Sequence, residues 1–529
     1  MDMAKRWDRI TCIMLVALVA LCCAALFTPT EGTDASGGTT QAKALTYKDY
    51  DGKNVGILTG TNMEQATFEY FPNSHYFYYD GYPNMNAALL AGKIDAYLGD
   101  EPAMKSIHNQ QPDISWLADR LTNNDYSFAF RKNDEQERAL RDDFNAWLQE
   151  IYADGTHDEI EDIWFGTDES KKVVPLDDLT GENGTIRVVT TSTDEPFSYI
   201  KDSKHVGYDI DVCARYARSR GYALEIGDVD FQARIPALES GRYEFTTTMN
   251  VTPEREEQVL FSNPVSTGGI VVGVRTSDLG AVEATEGAAG LNVFERIVAS
   301  FEKNFIRENR FELILQGLQT TCLITVCSAA LGSLLSFAIC LYRRTGSRLS
   351  NLVADVFVRI FQGTPMLVVL MILYYVLFAK TSLSAIAVAI IGFTLNLGAY
   401  GSEIMRAGID AVDPGQRQAA LAVGYSEWQA FRLFVFPQAA LNFMPVLRGE
   451  IVNLLKSTSV VGYIAIQDLT KMSDIIRART FEAFFPLVAT AILYFLLAWA
   501  ITWAMRAIAK RIDPRAKRRH THHTQEVSA

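Results

Sequence analysis

Between residues 312 and 507 the chain carries five apolar runs, at about 312 to 341, 354 to 378, 382 to 404, 443 to 466 and 484 to 507. Each is long enough to cross a hydrocarbon core of roughly 30 Å. Only helices and closed barrels satisfy their backbone in lipid, so this region is expected to fold as an all-α five-helix bundle. Residues 31 to about 300 are polar and acid-rich by contrast, and the 48% hydrophobic content of the 529 residues averages two unlike halves. The formal charge of -13, with no Lys/Arg cluster away from the membrane flanks, argues against a nucleic-acid surface. Of seven cysteines, Cys12, Cys22, Cys23, Cys322, Cys327 and Cys340 fall in apolar segments. Cys213 stands alone in the polar part, so no disulfide framework is expected there.

Lys5, Arg6 and Arg9 precede an apolar stretch from Ile10 to Phe27, the pattern of a signal peptide or a signal anchor over residues 1–30. Its length leaves both open. Leu21 stands before Cys22 where a lipoprotein would have a small residue, so Cys22 and Cys23 read as apolar filler. The flanking charges set the expected orientation. Arg343, Arg344 and Arg348 follow the first span, Arg406 closes the third, and Arg506, Lys510, Arg511, Arg515, Lys517, Arg518 and Arg519 follow the fifth. By the positive-inside rule these ends are cytoplasmic, as is the 512–529 tail, and residues 31 to 305 lie outside. The export segment gives the same answer independently. From 292 to 311, Phe294, Ile297, Val298, Phe301 and Phe305 recur at helical spacing, which predicts an amphipathic helix at the membrane interface.

Between the third and fourth spans lies Gln418-Ala-Ala-Leu-Ala-Val-Gly424, then nine residues, then Phe434-Val-Phe-Pro437. Two small residues, a helix-breaking Gly and a terminating Pro describe a short helix, a turn and a second helix, a shape that can dock into a groove. The segment resembles the signature loop of bacterial ABC importer permeases: Glu-Ala-Ala, three residues, Gly, nine residues, an aliphatic residue, one more, then Leu-Pro. Gln418 replaces the usual Glu, and Phe434 and Phe436 replace aliphatic residues. Phe361-Gln-Gly-Thr-Pro365, Leu455-Lys-Ser-Thr-Ser459 and Ala399-Tyr-Gly-Ser-Glu-Ile-Met-Arg406 resemble the permeases for polar amino acids, and the likeness extends over 292–511. It implies that Gln418, Ala419, Ala420, Gly424 and Pro437 couple the chain to an ATP-binding subunit, and that two permease halves, identical or sibling, make the pore. The chain holds no Gly-x-x-x-x-Gly-Lys-Ser/Thr loop. No cofactor is therefore expected here, ATP and Mg belonging to the partner, and the chain is not expected to be an enzyme.

The outer part alternates strand-like and helix-like runs, an α/β pattern. Asp194-Glu-Pro-Phe-Ser-Tyr-Ile200, Gly207-Tyr-Asp-Ile210, Ile235-Pro-Ala-Leu238, Thr252-Pro-Glu-Arg255 and Phe261-Ser-Asn-Pro264 are similar to the first lobe of periplasmic amino-acid-binding proteins. Asp51-Gly-Lys-Asn-Val-Gly-Ile-Leu-Thr-Gly-Thr61, Ala88-Leu-Leu-Ala-Gly-Lys-Ile-Asp-Ala96, Asp100-Glu-Pro102, Ala153-Asp-Gly-Thr156 and Ile163-Trp-Phe-Gly166 are similar to the second. The resemblance implies a two-lobed type II binding domain with its lobes in reversed order: second lobe 45–166, linker 167–184, first lobe 185–276, then a linker 277–291. One circularly permuted domain explains this, and two truncated relics of tandem domains is the competing reading. The 18-residue linker reaches at most roughly 60 Å, enough to cross one domain.

The resemblance also assigns the cleft. Arg255 would hold the ligand carboxylate as a fork, with backbone N–H groups around Thr59, Thr61 and Asn62, and Asp100 would pair with the ammonium. Phe231 and Phe197 would flank the side chain, and Thr248 and Asn250 would line a strand end. Since Arg255 and Asp100 lie on different lobes, a ligand that pairs with both favours closure. The expected function is a permease subunit with a fused external binding domain, in an ATP-driven importer of polar amino acids in a bacterial cell membrane. A receptor and a permease with a vestigial external domain are the alternatives. A receptor has no use for the Ala-Ala-Gly loop.

Overall fold

The computed structural model describes residues 45–279, 293–344, 348–482 and 485–512, except Gly60, Asn62, Asn133 and Asp134. The segments expected as export signal, second linker and basic tail lie outside the described residues, apart from three linker residues, Ser277 to Leu279, and Ile512. The chain forms two compact units, one of residues up to Leu315 with Lys471–Thr490, the other of Gln316–Thr470 with the residues from Ala491.

In the first unit the strands are β1 Asn54–Leu58, β2 His75–Tyr79, β3 Ala96–Asp100, β4 Ile114–Trp116, β5 Thr122–Arg131, β6 Thr185–Thr190, β7 Thr193–Asp194, β8 Ser198–Lys201, β9 Lys204–Val206, β10 Ala223–Asp228, β11 Phe245–Asn250, β12 Val259–Phe261 and β13 Ser266–Arg275. Ten of them make one sheet in the order β10-β6-β11-β5-β13-β3-β1-β2, with β12 beside β5 and β4 beside β13. At one end β10, β6 and β11 run parallel; at the other β1, β2 and β3 do. Parallel strands need crossovers, and helices such as Tyr208–Arg220 and Tyr82–Leu90 supply them. Their burial on both faces matches apolar runs such as Ile186, Val188 and Val189.

Two ten-residue strands join the ends. β5 pairs with β13 from Thr122 to Tyr126 and with β11 from Tyr126 to Phe130; β13 pairs with β5 as far as Ile270 and then with β3. Each of these two strands therefore has neighbours at both ends of the sheet. Phe128 and Phe130, with Phe144, Trp147 and Trp164 from the helices Glu135–Asp154 and Thr156–Phe165, pack in one core with Ile186, Val188 and Tyr216. Ile270, Val272 and Val274 pack instead with Val55 and Leu98. The chain changes lobes in mid-strand, near Tyr126 and near Ile270, because an unbroken run of strand residues can pair with a different neighbour at each end. Residues 167–184 contain no helix or strand.

The helix Leu469–Thr480 follows the fourth apolar segment, and from Lys471 onward it belongs to the first unit. Lys471 pairs with Asp230 at 2.7 Å, and Phe481 sits in a core with Tyr82 and Met85. The guanidinium of Arg479 donates to both oxygens of Glu195 at 2.8 Å and to Glu308 at 2.8 Å. The helix Val293–Phe301 leaves Val298 and Phe301 about half exposed, with the Phe301 ring 5.3 Å from that of Phe305.

Among the described residues four helices are long and apolar enough to cross a membrane, or five if a bent pair is one span. The expected 354–378 span is that pair: Asn351–Gly363 and Met366–Leu377 meet at 109°. Pro365 lacks an N–H and disfavours helical backbone at Thr364, so the continuous span anticipated from hydropathy is broken there. Elsewhere the helices approach closely over small residues. A Cβ on Gly401 would lie 2.2 Å from Ser336 Oγ, whose hydroxyl donates to the Leu397 carbonyl at 2.9 Å.

Candidate ligand cleft and coupling loop

The strand ends of both lobes converge on a cleft of about 740 Å³ including its open mouth. Thr59, Thr61, Asp100, Phe197, Phe231, Thr248, Asn250 and Arg255 all line it. Asn62 lies outside the described residues. Each position follows from local structure. Asp100 ends β3 and stands at the N-terminus of the helix Glu101–Gln110. Arg255 belongs to the short helix Pro253–Gln258, capped by Thr252, and its Nη1 donates to the Asn250 carbonyl at 3.0 Å. Thr61 Oγ1 donates to the Leu58 carbonyl at 2.8 Å and accepts from Met63 N at 3.3 Å, which starts the helix Met63–Tyr70 beside the cleft.

Asp194 ends β7, paired with Ser198 in a small hairpin whose turn carries Phe197. Phe197 is 3% exposed and packs against Tyr126 and Phe165, so it is as much core as cleft wall. Thr248 lines the cleft but its hydroxyl donates to Asp209, whose second oxygen accepts from the Thr248 N–H at 3.1 Å. That geometry depends on a register shift in β11 between Thr246 and Met249, which turns consecutive threonines to useful sides.

Several residues not anticipated from sequence complete the site. The Tyr126 hydroxyl donates to Asp100 Oδ1 at 2.5 Å, and the Tyr82 hydroxyl accepts from the Asp100 N–H at 3.3 Å. Arg234 is buried behind the wall, with Nε on Thr246 Oγ1 at 2.9 Å, Nη2 on the Thr248 carbonyl at 2.8 Å, and its guanidinium 5.3 Å from the Phe231 ring. Tyr126 follows the ordinary alternation of a strand, and Arg234 sits in a helical run where an exposed Arg would look the same.

Burial dominates the electrostatics. It pushes the Asp100 carboxyl up to about 7, with nearby Asp194 adding to the rise and Tyr126 and Arg255 opposing it. Asp194 is raised to about 6 by burial, offset only by Arg234. Asp209 is raised to about 7, again by burial first. Arg234 is lowered to about 10 by burial, and Arg255 is lowered for the same reason against the pull of Asp100. The cleft thus sets a cation from one lobe opposite carboxylates from both, in a poorly hydrated space. It can hold a small ligand with opposite charges a few bonds apart. The described residues contain no group of three or more His, Cys, Asp or Glu side chains able to hold a metal.

In the second unit, Gln418, Ala419 and Ala420 lie on the helix Pro414–Ala422, capped by Asp413. Gly424 follows at φ +93°, and a Ser426 cap starts the next helix. Arg417 Nε donates to Glu427 Oε2 at 2.8 Å across the turn. Val423 and Trp428 stand exposed at 78% and 57%, an apolar surface on a polar loop. The anticipated stop at Pro437 is corrected, since helix runs on from Glu427 to Ile464. A wide turn over Phe431–Val435 loosens the ladder just before the proline, which therefore fits without ending the helix.

A two-lobed α/β unit with a charged cleft, joined to a membrane bundle that presents a helix-turn-helix loop, defines a transport protein that carries its own ligand-binding module. Residues 329–514 match the family of binding-protein-dependent transport system inner membrane components, and the chain belongs to that family. It is similar to the arginine transport system permease protein ArtQ of Bacillus subtilis, 31% identical over 201 residues, which are 38% of this chain and 92% of that one. It is also similar to the glutamine transport system permease protein GlnP of Escherichia coli, 29% identical over 203 residues, 38% of this chain and 93% of that one. Among solved structures, an amino acid ABC transporter with histidines matches 42% of this chain and 99% of its own, at 29% identity and a TM-score of 0.36. An arginine-binding protein from T. maritima, ArgBP in its P235GK mutant, matches 47% and 90%, at 12% identity and a TM-score of 0.23.

Proposed function

We propose that this chain is the permease subunit of an ATP-driven importer for polar amino acids, with its capture domain built into the same polypeptide. The observation that carries the reading is the convergence of Arg255 and Asp100 from different lobes onto one cleft, in a chain whose membrane part belongs to the permease family. An α-carboxylate on Arg255 and an α-ammonium on Asp100 would draw the lobes together, so ligand binding becomes closure. The described fold supports a single two-lobed domain, reordered by circular permutation, over two relics, because the strands contributed by 45–166 and 185–276 lie in one sheet and enclose one cleft.

The remaining parts are assigned on the same basis. The domain lies outside the cell membrane, the 414–437 loop binds an ATP-hydrolysing subunit that supplies ATP and Mg, and a second copy or a sibling permease completes the pore. Permeases named for both glutamine and arginine are similar to the membrane part, in keeping with a polar amino-acid cargo. Titrating the purified full chain with the common amino acids by calorimetry and thermal shift tests the capture role. Binding of at least one in the micromolar range is expected, and no response to any would leave the domain a scaffold.

A further inference from the structure

We propose that the cleft takes an amino acid with a positively charged side chain, and that the Asp194 carboxylate selects it. The inference rests on the amino-acid reading above and names the class of cargo. In and directly behind the cleft, the carboxylates Asp100, Asp194 and Asp209 face the guanidiniums Arg234 and Arg255. Arg234 and Asp209 both lie behind the wall, bound to the two faces of the Thr246–Thr248 segment, and their opposite charges attract. That leaves Asp100 and Asp194 against Arg255 at the surface a ligand would touch.

An amino-acid zwitterion adds one charge of each sign. Its carboxylate answers Arg255 and its ammonium answers Asp100, and Asp194 is left half-buried in the cleft wall with the already engaged Arg234 as its nearest opposing charge. An isolated ionised carboxylate out of water is expensive, and a cation on the ligand removes the deficit. Burial raises the Asp194 carboxyl to about 6 and Arg234 only partly offsets it, so a further cation beside Asp194 would favour its charged form. A negatively charged side chain would disfavour it.

The surroundings fit the same class. Thr191 and Thr193, whose hydroxyl oxygens lie 3.2 Å apart, line the cleft with Asp194, and the Phe231 ring in the same wall already has the Arg234 guanidinium 5.3 Å from it, a site of the kind that attracts cations. Asp80 adds a further carboxylate at the exposed rim. No cation other than Arg255 lines the cleft among the described residues.

The test is calorimetric titration of the full chain in detergent with L-arginine, L-lysine, L-citrulline, L-glutamine and L-glutamate. Citrulline matches arginine in shape and lacks only its charge. Arginine or lysine is expected to bind at least tenfold more tightly than citrulline and glutamine, with glutamate weakest. Asp194→Asn should shrink the arginine-to-citrulline ratio at least tenfold. Citrulline or glutamine binding as tightly as arginine and lysine overturns the charge selection and leaves the capture role standing, whereas silence with every amino acid overturns both. A variant that loses all ligands equally, keeping the wild-type ratio, removes Asp194 as the selector. Should that variant fail to fold, the arginine and citrulline comparison on the unaltered chain decides alone.

Discussion

Arg255 and Asp100 line one cleft, and the proposed function gives them different work. Arg255 is expected to form a two-point contact with the carboxylate, so Arg255→Ala should weaken binding by about 2–4 kcal/mol, roughly 30- to 1,000-fold, with little change in the melting of the unliganded chain. Arg255→Lys should recover only part of this, since an ammonium cannot grip both oxygens. Asp100 and Asp194 instead govern pH dependence. Burial holds both carboxyls above their unfolded values, at about 7 and about 6. The unliganded domain therefore gains stability from them below about pH 4 and loses it as pH rises through 6 to 7. Ligand binding needs the charged forms, so affinity should run the other way, falling by about tenfold per pH unit per protonated carboxylate below that window. Titrations at pH 5.5 and 8 check this, and stronger binding at pH 5.5 would contradict it. That Arg255 and Asp100 lie at one cleft was legible beforehand, because both occur in recognisable strings with a Pro two residues away. Arg234 was not, since nothing in Phe231 to Ser240 distinguishes a buried arginine from one at an exposed helix start.

At the scale of elements, the helix Leu469–Thr480 stands out because its end brings charge into a buried setting. Arg479 donates to Glu195 and Glu308, and Glu195 also accepts from Ser106 and Gln110 at 3.0 Å each. Removing Arg479 leaves the buried Glu195 with neutral donors alone, while Glu308 keeps Arg310 at 2.9 Å, and loss of the charged partner of a buried carboxylate costs about 3–5 kcal/mol. Arg479→Ala should therefore lower the melting temperature of the capture domain by several degrees, as read by tryptophan fluorescence. Glu308→Gln, which keeps the shape of a partner, should cost less. Hydropathy located the apolar elements correctly but said little about their continuity. The break at Gly363-Thr364-Pro365 and the unbroken helix through Pro437 are opposite outcomes at two prolines. The difference lies in what precedes each: Pro365 follows directly on a regular helix, whereas Pro437 follows a turn that is already wide. The crossing strands were illegible for another reason: β5 is one unbroken strand, half-buried and exposed by turns up to Asp125 and buried from Tyr126 to Phe130, and no turn or breaker residue marks where its neighbour changes.

For the whole molecule, the consequence of one polypeptide is that capture and transport parts are always present together. A tether keeps the binding domain at roughly millimolar effective concentration, so its affinity for the membrane part can be low without loss of encounter. In the proposed importer, signal transfer then rests on the loop over 414–437. Gly424 is the position to test, because its φ of +93° is one that a side chain adopts only under strain, and a Cβ there would meet no neighbouring atom. Gly424→Val therefore changes the backbone of the turn without a steric clash, at a cost of about 1–2 kcal/mol localised between two short helices. In the importer reconstituted in vesicles with its ATP-hydrolysing subunit, the variant should bind ligand with unchanged affinity, since Gly424 lies in the other compact unit from the cleft. Ligand-stimulated ATP hydrolysis should fall at least fivefold, and transport with it. Full stimulation with a valine at this turn would mean that the loop couples through its exposed faces, around Val423 and Trp428, and not through the geometry of the turn.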